Sequence, residues 1–370
     1  MRRVYVIFMV IAALAVLAGC DVELPPDPKP RPASARRTVV VYMEARNSLA
    51  ANAADDLAEM ESATIPSDCR LLVYHSTRSG APELLEIKNG AREVLKTYAD
   101  EASAVDPAQM GAVLADVRSL APAAGYGVVL WSHSSGWQQT SRRSRGFGLE
   151  NSRQQMSVSD MAATLTAAGP FEFVVFDTCY MGCVEVAYEL RRAARYMVAS
   201  VCEVPTPGMP YDLTVEPLFD ADTRRGLADA IDLTVDTYLA DKTISCPSTL
   251  SLIDLKAMRA LAAEVKAGFA AALPEGYEAQ PFSLSTPFSS MFYDFGQWYD
   301  ALGGNPALMA AAVLHERHTP MIWGRLPLEA CSGLSVYLPQ LTDGFDYTSY
   351  GYDTLGWYAD VIAPNIQQTE

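Results

Sequence analysis

Gly127-Val128-Val129-Leu130-Trp131-Ser132-His133 and Phe173-Val174-Val175-Phe176-Asp177-Thr178-Cys179 share one construction, a short apolar run that ends on a reactive side chain. Runs of this length, closed by polar residues, read as strands buried on both faces of a parallel sheet. In open α/β sheets, chemistry gathers at the carboxyl edge of the strands. A histidine and a cysteine leaving two such strands have the makings of a nucleophile and its base.

The flanking sequence fits the same sheet. Residues 37–44 form a β-branched run and predict the first core strand, and residues 71–75 a second. Residues 83–87 and 92–98 flank Asn89-Gly90, a hairpin signal. Residues 48–61 read as a helix capped by Asn47 or Ser48, and Asp106-Pro107 opens another that runs to residue 120. Further helices are expected at 157–168 and 181–195, with a strand at 196–200 between the second of these and a region beyond residue 215 where helices dominate (222–239 and 254–273). A late strand is expected at 333–339, followed by an aromatic tail whose tyrosines and Trp357 read as packing anchors. Strand alternating with helix predicts an α/β fold with a largely parallel sheet flanked by helices and a mainly helical C-terminal region packed on it.

The chain has 370 residues, half of them hydrophobic, enough for a large buried core. Its net charge of −16 and pI near 4.7 argue against nucleic acid as a partner. Met1-Arg2-Arg3, the apolar run from Val4 to Ala18 and Leu17-Ala18-Gly19-Cys20 resemble a bacterial lipoprotein leader, which implies cleavage before Cys20 and a lipid on it. Loss of residues 1–19 takes the 28 basic residues to 26 against 44 acidic ones, a net charge near −18. A proline-rich stretch from Leu24 to Ser34 predicts an extended tether within residues 20–36. The expected organisation is therefore a leader (1–19), a lipidated tether (20–36), a catalytic core (37–215) and a C-terminal region completing the domain (216–370). Such a protein would be exported and membrane-anchored, in the periplasm or at the cell surface. Besides Cys20 there are six cysteines, too few for a disulfide scaffold.

Three ordered blocks sharpen the reading. Trp-Ser-His-Ser-Ser-Gly-Trp (131–137) resembles the His-Gly motif of clan CD cysteine peptidases. Residues 176–190 (Phe-Asp-Thr-Cys-Tyr-Met-Gly-Cys-Val-Glu-Val-Ala-Tyr-Glu-Leu) resemble the nucleophile segment of the clostripain family, and residues 199–211 its next block. The resemblance spans roughly Val39 to Tyr211. It implies a caspase-like fold, a Cys179–His133 dyad and cleavage of peptides or proteins after arginine or lysine. It also implies an oxyanion hole formed by the backbone N–H groups of Cys179 and Ser134. Ser134 stands where the family has glycine, and a positive φ there would strain it.

The placement of Cys179 before a helix predicts a lowered thiol pKa. By the resemblance, Asp177 lies at the base of the P1 pocket and Glu203 and Asp212 in the loop beside it. Arg142, Arg143 and Arg145 lie in the 138–147 loop, where relatives can be activated by self-cleavage. No cofactor is expected, although the resemblance leaves room for calcium. A zinc site built on Cys179, Cys183 and His133 lacks a set of four ligands, and His315 and His318 read as solvent-facing residues near a helix end. The reading from another class is a caspase-fold surface lipoprotein that binds peptides without cutting them.

Overall fold

The structure, a computed structural model, describes residues 34–138, 146–151, 154–241, 248–268, 276–282, 292–322, 324, 326–338 and 347–366. The leader, the tether with Cys20 as far as residue 33, Arg142, Arg143, Arg145 and Cys246 lie outside them, while Ala35 and Arg36 at the tether's end already belong to the first strand.

Within the described residues the chain builds β1 (Ala35–Ala45), α1 (Ala50–Ser62), β2 (Cys69–Thr77) and the hairpin β3 (Glu83–Lys88) and β4 (Ala91–Thr97). Next come α2 (Pro107–Leu120), β5 (Ala123–Trp131), a second hairpin of β6 (Gly146–Glu150) and β7 (Gln154–Ser157), and α3 (Val158–Ala168). They are followed by β8 (Phe171–Asp177), α4 (Val184–Leu190), β9 (Ala194–Ala199), α5 (Tyr211–Thr214) and α6 (Thr223–Ala240). The last elements used here are β10 (Thr249–Asp254), α7 (Met258–Gly268), β11 (Tyr293–Asp294) and β12 (Val313–His318).

Nine strands form one sheet in the order β12-β10-β9-β8-β5-β1-β2-β3-β4. The five from β9 to β2 are parallel, and an antiparallel pair extends each edge. Because side chains alternate across a strand, the apolar runs supply two cores at once. Val40, Tyr42, Val128, Leu130, Val174 and Phe176 face α2, α3, α4 and α7. Val39, Val41, Val129, Trp131, Phe173 and Val175 face α1 and α6. This two-sided burial is why these strands read as continuous hydrophobic runs.

Several caps match their sequence signals. Asp106 Oδ1 accepts the Ala108 N–H at 2.8 Å, Pro107 fills the first helical position, and Gly90 turns the β3–β4 hairpin at φ 83°. Other elements differ. Neither Asn47 nor Ser48 caps α1, whose N-cap is Leu49 with no side-chain bond; both polar side chains are engaged elsewhere. The helix expected at 181–195 is cut to Val184–Leu190 because β9 begins at Ala194.

Beyond residue 215, two segments join the sheet as β10 and β12. Strand β10 alternates Thr249, Ser251 with Leu250, Leu252, a period-2 signal that the helical expectation passed over. Strand β12 is polar from His315 to His318, as an edge can be, and carries His315 and His318 half-buried on a strand rather than at a helix end. Of the expected strand at 333–339 only Ser335–Val336 is extended, paired with β11.

Gly127 on β5 shows how tightly the layers fit: a Cβ there would come within 2.2 Å of the Phe173 ring on β8. Gly127→Ala is expected to cost about 1–3 kcal/mol of stability through this overpacking, measured as a lowered urea midpoint with an unchanged slope.

Candidate active site

The parallel register sets Trp131 of β5 beside Asp177 of β8. His133 and Cys179, each two residues further on, therefore leave the sheet side by side at its carboxyl edge. Both line one open cleft of about 180 Å³, together with Leu49, Asp177, Glu203 and Pro205.

A buried carboxylate braces this edge. Glu44, at the end of β1, is 0% exposed. It accepts hydrogen bonds from the Arg46 N–H (2.9 Å), Asn47 Nδ2 (2.8 Å), Ser132 Oγ (2.6 Å) and the Leu149 N–H (3.0 Å). The segment after β1 is thereby tied to the residue before His133 and to the β6–β7 hairpin. Ser48 Oγ, carried by the same segment, lies 2.9 Å from His133 Nε2. Asn47 and Ser48 thus serve the cleft instead of capping α1.

Cys179 differs from its sequence expectation. Helix α4 starts only after Cys183, its N-cap, so the nucleophile candidate stands a full turn before the helix. Burial pushes the Cys179 thiol up to about 11, against the relief of the Val204 N–H at 3.4 Å and with the help of the Glu203 and Asp177 charges. Burial also lowers His133, partly offset by the Glu44 charge. At neutral pH the pair is a thiol and a neutral imidazole, not an ion pair.

Ser134 fits without strain, because the left-handed conformation falls on Gly136 (φ 63°) instead. A Cβ on Gly136 would meet the Tyr180 carbonyl oxygen at 2.8 Å, so glycine is required there. Ser134 faces Phe147 across an isolated bridge. The bonds of that bridge run from Ser135 N–H to the Gly146 oxygen (3.4 Å) and from Gly148 N–H to the His133 oxygen (2.9 Å). They leave the Ser134 N–H outside the ladder, while its Oγ donates to the Cys179 carbonyl. Tyr180, right after the cysteine, takes φ 61°, a costly conformation for a bulky residue; its ring stacks on Phe292 at 5.1 Å.

The far wall is acidic. Asp177 is 5% exposed, and its Oδ2 accepts the Met209 N–H (3.1 Å) and the Tyr211 hydroxyl (2.9 Å). Burial raises it to about 6. Gly208 lies directly over it at φ 65°, and a Cβ there would come within 2.7 Å of Oδ2. Behind Asp177, Asp56 accepts the Trp131 indole N–H at 2.6 Å and is pushed by burial, and then by the Asp177 charge, to about 8. Glu59 accepts the Tyr211 N–H at 2.9 Å. Glu203 Oε2 is buried and without a partner among the described residues. No Lys or Arg among the described residues pairs with any of these four carboxylates. Asp212 is exposed in the first turn of α5 and does not line the cleft.

Residues 41–299 match the Peptidase C11, clostripain family. The chain belongs to the clostripain family. It is a cysteine peptidase with a caspase-like α/β fold. Two solved structures are similar across nearly their whole length. One is a secreted C11 cysteine protease from Bacteroides thetaiotaomicron in complex with an irreversible peptide inhibitor (26% identity, 89% of this chain and 99% of that one, TM-score 0.77). The other is an inactive zymogen C11 protease from Parabacteroides distasonis (26% identity, 89% and 99%, TM-score 0.76). No curated protein matches the chain.

In this clostripain-family chain, Cys183 is fully buried behind the nucleophile turn, a packed small residue. Calcium would require six to eight oxygen ligands. Among the described residues the one group of three candidate ligand side chains is Glu316, His318 and Cys331, whose nitrogen and sulfur do not suit it. Glu44, Asn47 and Ser48 were missed in the sequence, although the strand-end rule that picks out His133 and Cys179 applies equally to the polar run after β1.

Two outcomes follow from this geometry. Alkylation of Cys179 by iodoacetamide should accelerate roughly tenfold per pH unit above neutrality; a rate already level at pH 7 would mean a preformed thiolate. Glu44→Gln removes the charge that holds the His133 pKa up. The His133 ring resonances should then titrate at lower pH, with a stability loss of about 1–3 kcal/mol from the abandoned donors.

Proposed function

We propose that the chain is an exported, lipid-anchored endopeptidase that cuts after arginine or lysine with a Cys179–His133 dyad. The observation that carries the reading is the convergence of thiol and imidazole in one cleft lined also by Asp177 and Glu203, which pair with no Lys or Arg among the described residues. A basic P1 side chain would supply the missing charge.

As Sγ of Cys179 attacks the scissile carbonyl, His133 takes the thiol proton. The oxyanion is received by the N–H groups of Ser134 and Cys179. His133 then returns the proton to the leaving amine, which departs and leaves a thioester. Water, deprotonated by the same imidazole, hydrolyses the thioester and restores the thiol. The neutral resting pair suits this sequence, because the base must be unprotonated when attack begins. Glu44 and Ser48 act as positioning residues, holding the His133 segment against the end of β5.

Asp177 forms the base of the P1 pocket, with Glu203 on its wall; the exposed Asp212 acts at most on the field around the loop. Residues 1–19 serve as the leader, 20–36 as the tether lipidated at Cys20, 37–215 as the catalytic core and 216–370 as the part that completes the sheet with β10 and β12. Self-cleavage after Arg142, Arg143 or Arg145 opens the cleft. The zymogen state of the Parabacteroides distasonis relative is in keeping with such a step.

Fluorogenic peptides with Arg, Lys, Asp or Leu at P1, given to protein purified from residue 36 onward, test the reading. Turnover of the Arg and Lys peptides alone, abolished in Cys179→Ala and in His133→Ala, is expected. Asp177→Asn should lower kcat/KM for those peptides at least about tenfold. For the wild type the value should fall below pH about 6 as Asp177 and His133 gain protons. Turnover without basic preference removes the pocket assignment. A folded, reduced protein that binds peptides but never cuts them, even after limited trypsin treatment, points instead to the binding lipoprotein.

A further inference from the structure

Strand β12 divides its polar residues between two faces. His315 and Arg317 turn toward α6, where His315 Nε2 lies 2.9 Å from Asp232 Oδ1. Arg317 reaches Asp232 at 2.9 Å and Asp236 at 2.6 Å. Glu316 and His318, two residues apart, take the opposite face, as the period of a strand requires. On that face His318 Nδ1 is 2.8 Å from Glu316 Oε1. Cys331, from the loop that leads to Ser335–Val336, closes the group. One donor atom from each of the three lies within 4.8 Å of the other two, and all three residues are half-buried.

We propose that Glu316, His318 and Cys331 bind a divalent transition-metal ion of the zinc type. The argument is one of donor chemistry and reach. A carboxylate oxygen, an imidazole nitrogen and a thiolate sulfur are the donor types zinc selects, while hard cations such as calcium and magnesium take oxygen alone. Zinc–ligand bonds of about 2.0–2.3 Å place tetrahedral ligands about 3.3–3.7 Å apart, so small side-chain rotations bring these donors into place. Glu316 and Asp294 bring negative charge to both His318 and Cys331, with Arg317 opposing them at His318. Cys331 coordinates as the thiolate and its proton passes to solvent. Three protein ligands leave the fourth position to water.

The ion would join β12 to the loop that carries Cys331. The Cys331 loop is anchored by the Ser332 N–H on Asp294 Oδ2 (2.6 Å), the Gly296 N–H on Ser332 Oγ (2.9 Å), the Glu329 N–H on Gln280 Oε1 (3.3 Å) and the Leu328 N–H on the Pro320 oxygen (3.0 Å). It continues into Ser335, whose N–H donates to the Gly182 oxygen (2.9 Å) in the turn that follows Cys179. A metal here clamps the edge strand to the segment that backs the nucleophile turn. The site lies away from the cleft and takes no part in it.

The experiment uses the full chain carrying Cys179→Ala, so that the cleft thiol offers no competing ligand. After treatment with a chelator, the protein is titrated with Zn²⁺ against a chromophoric chelator and with Co²⁺ by absorbance. One Zn²⁺ per chain with a raised thermal midpoint, and a thiolate-to-cobalt charge-transfer band, are expected. Cys331→Ser should abolish the band, and His318→Gln should weaken Zn²⁺ by more than about 100-fold, beyond the usual cost of an outer-shell loss. His315→Gln, on the opposite face, should change neither. Should Cys331→Ser fail to fold, protection of Cys331 from alkylation by Zn²⁺ in the Cys179→Ala chain, read by peptide mass, decides the same point. No stoichiometric Zn²⁺, a cobalt band that survives Cys331→Ser, or unprotected Cys331 overturns the proposal.

Discussion

A buried carboxylate, met by hydrogen-bond donors and by no cation among the described residues, holds the working edge of this sheet together. Glu44 lies wholly inside, and an ionised carboxylate there would cost several kcal/mol if left bare. Four donors meet it instead: the Arg46 and Leu149 N–H groups, Asn47 Nδ2 and Ser132 Oγ. Hydrogen bonds to a charged group contribute about 1.5–3 kcal/mol each, enough to offset the desolvation. Their geometric effect is larger than their net energy. The end of β1, the end of β5 and the β6–β7 hairpin can each move only if Glu44 loses a donor. The direction of His133, its contact with Ser48 and the free N–H of Ser134 all follow from that constraint.

The second consequence of burial is electrical. A cysteine peptidase is often pictured with its thiolate and imidazolium already formed. Here desolvation raises the thiol and lowers the imidazole, and the nearby Glu203 and Asp177 charges oppose a thiolate further. In the proposed mechanism the proton therefore moves during attack rather than before it. The acidic wall that disfavours the thiolate is the same wall that would welcome a basic side chain. Occupation of the pocket by such a cation would relieve part of the opposition, which links binding of the right substrate to readiness of the nucleophile.

The antiparallel edge formed by β10 and β12 shows how one fold separates its tasks. Its inner strand packs Leu250 and Leu252 against the core, and its outer strand carries charge on both faces. One face is balanced by α6 through Asp232 and Asp236. The other gathers Glu316, His318 and Cys331 over a loop whose far end supports the turn after Cys179. Stability at the sheet edge and the setting of the nucleophile are joined through that loop.

The sequence by itself determined the central strands, the cap at Asp106, the Asn89-Gly90 turn and the two strand ends that bear His133 and Cys179. Each of these is a local signal, written in a run of apolar residues or in one residue's backbone preference. It did not determine that Ser134 escapes strain, because that depends on Gly136 taking the left-handed turn against Tyr180 and Phe292. Nor could it determine the protonation of the pair, since desolvation depends on what packs over a group. Strand β12 was hidden for a related reason: an edge strand needs no apolar pattern, only a neighbour that offers its free backbone groups. Glu44, Ser132 and Leu149, or Glu316 and Cys331, meet only when the sheet and its loops have closed. Periodicity and turn chemistry act over a few residues, whereas burial, charge pairing and ligand convergence are properties of the folded chain.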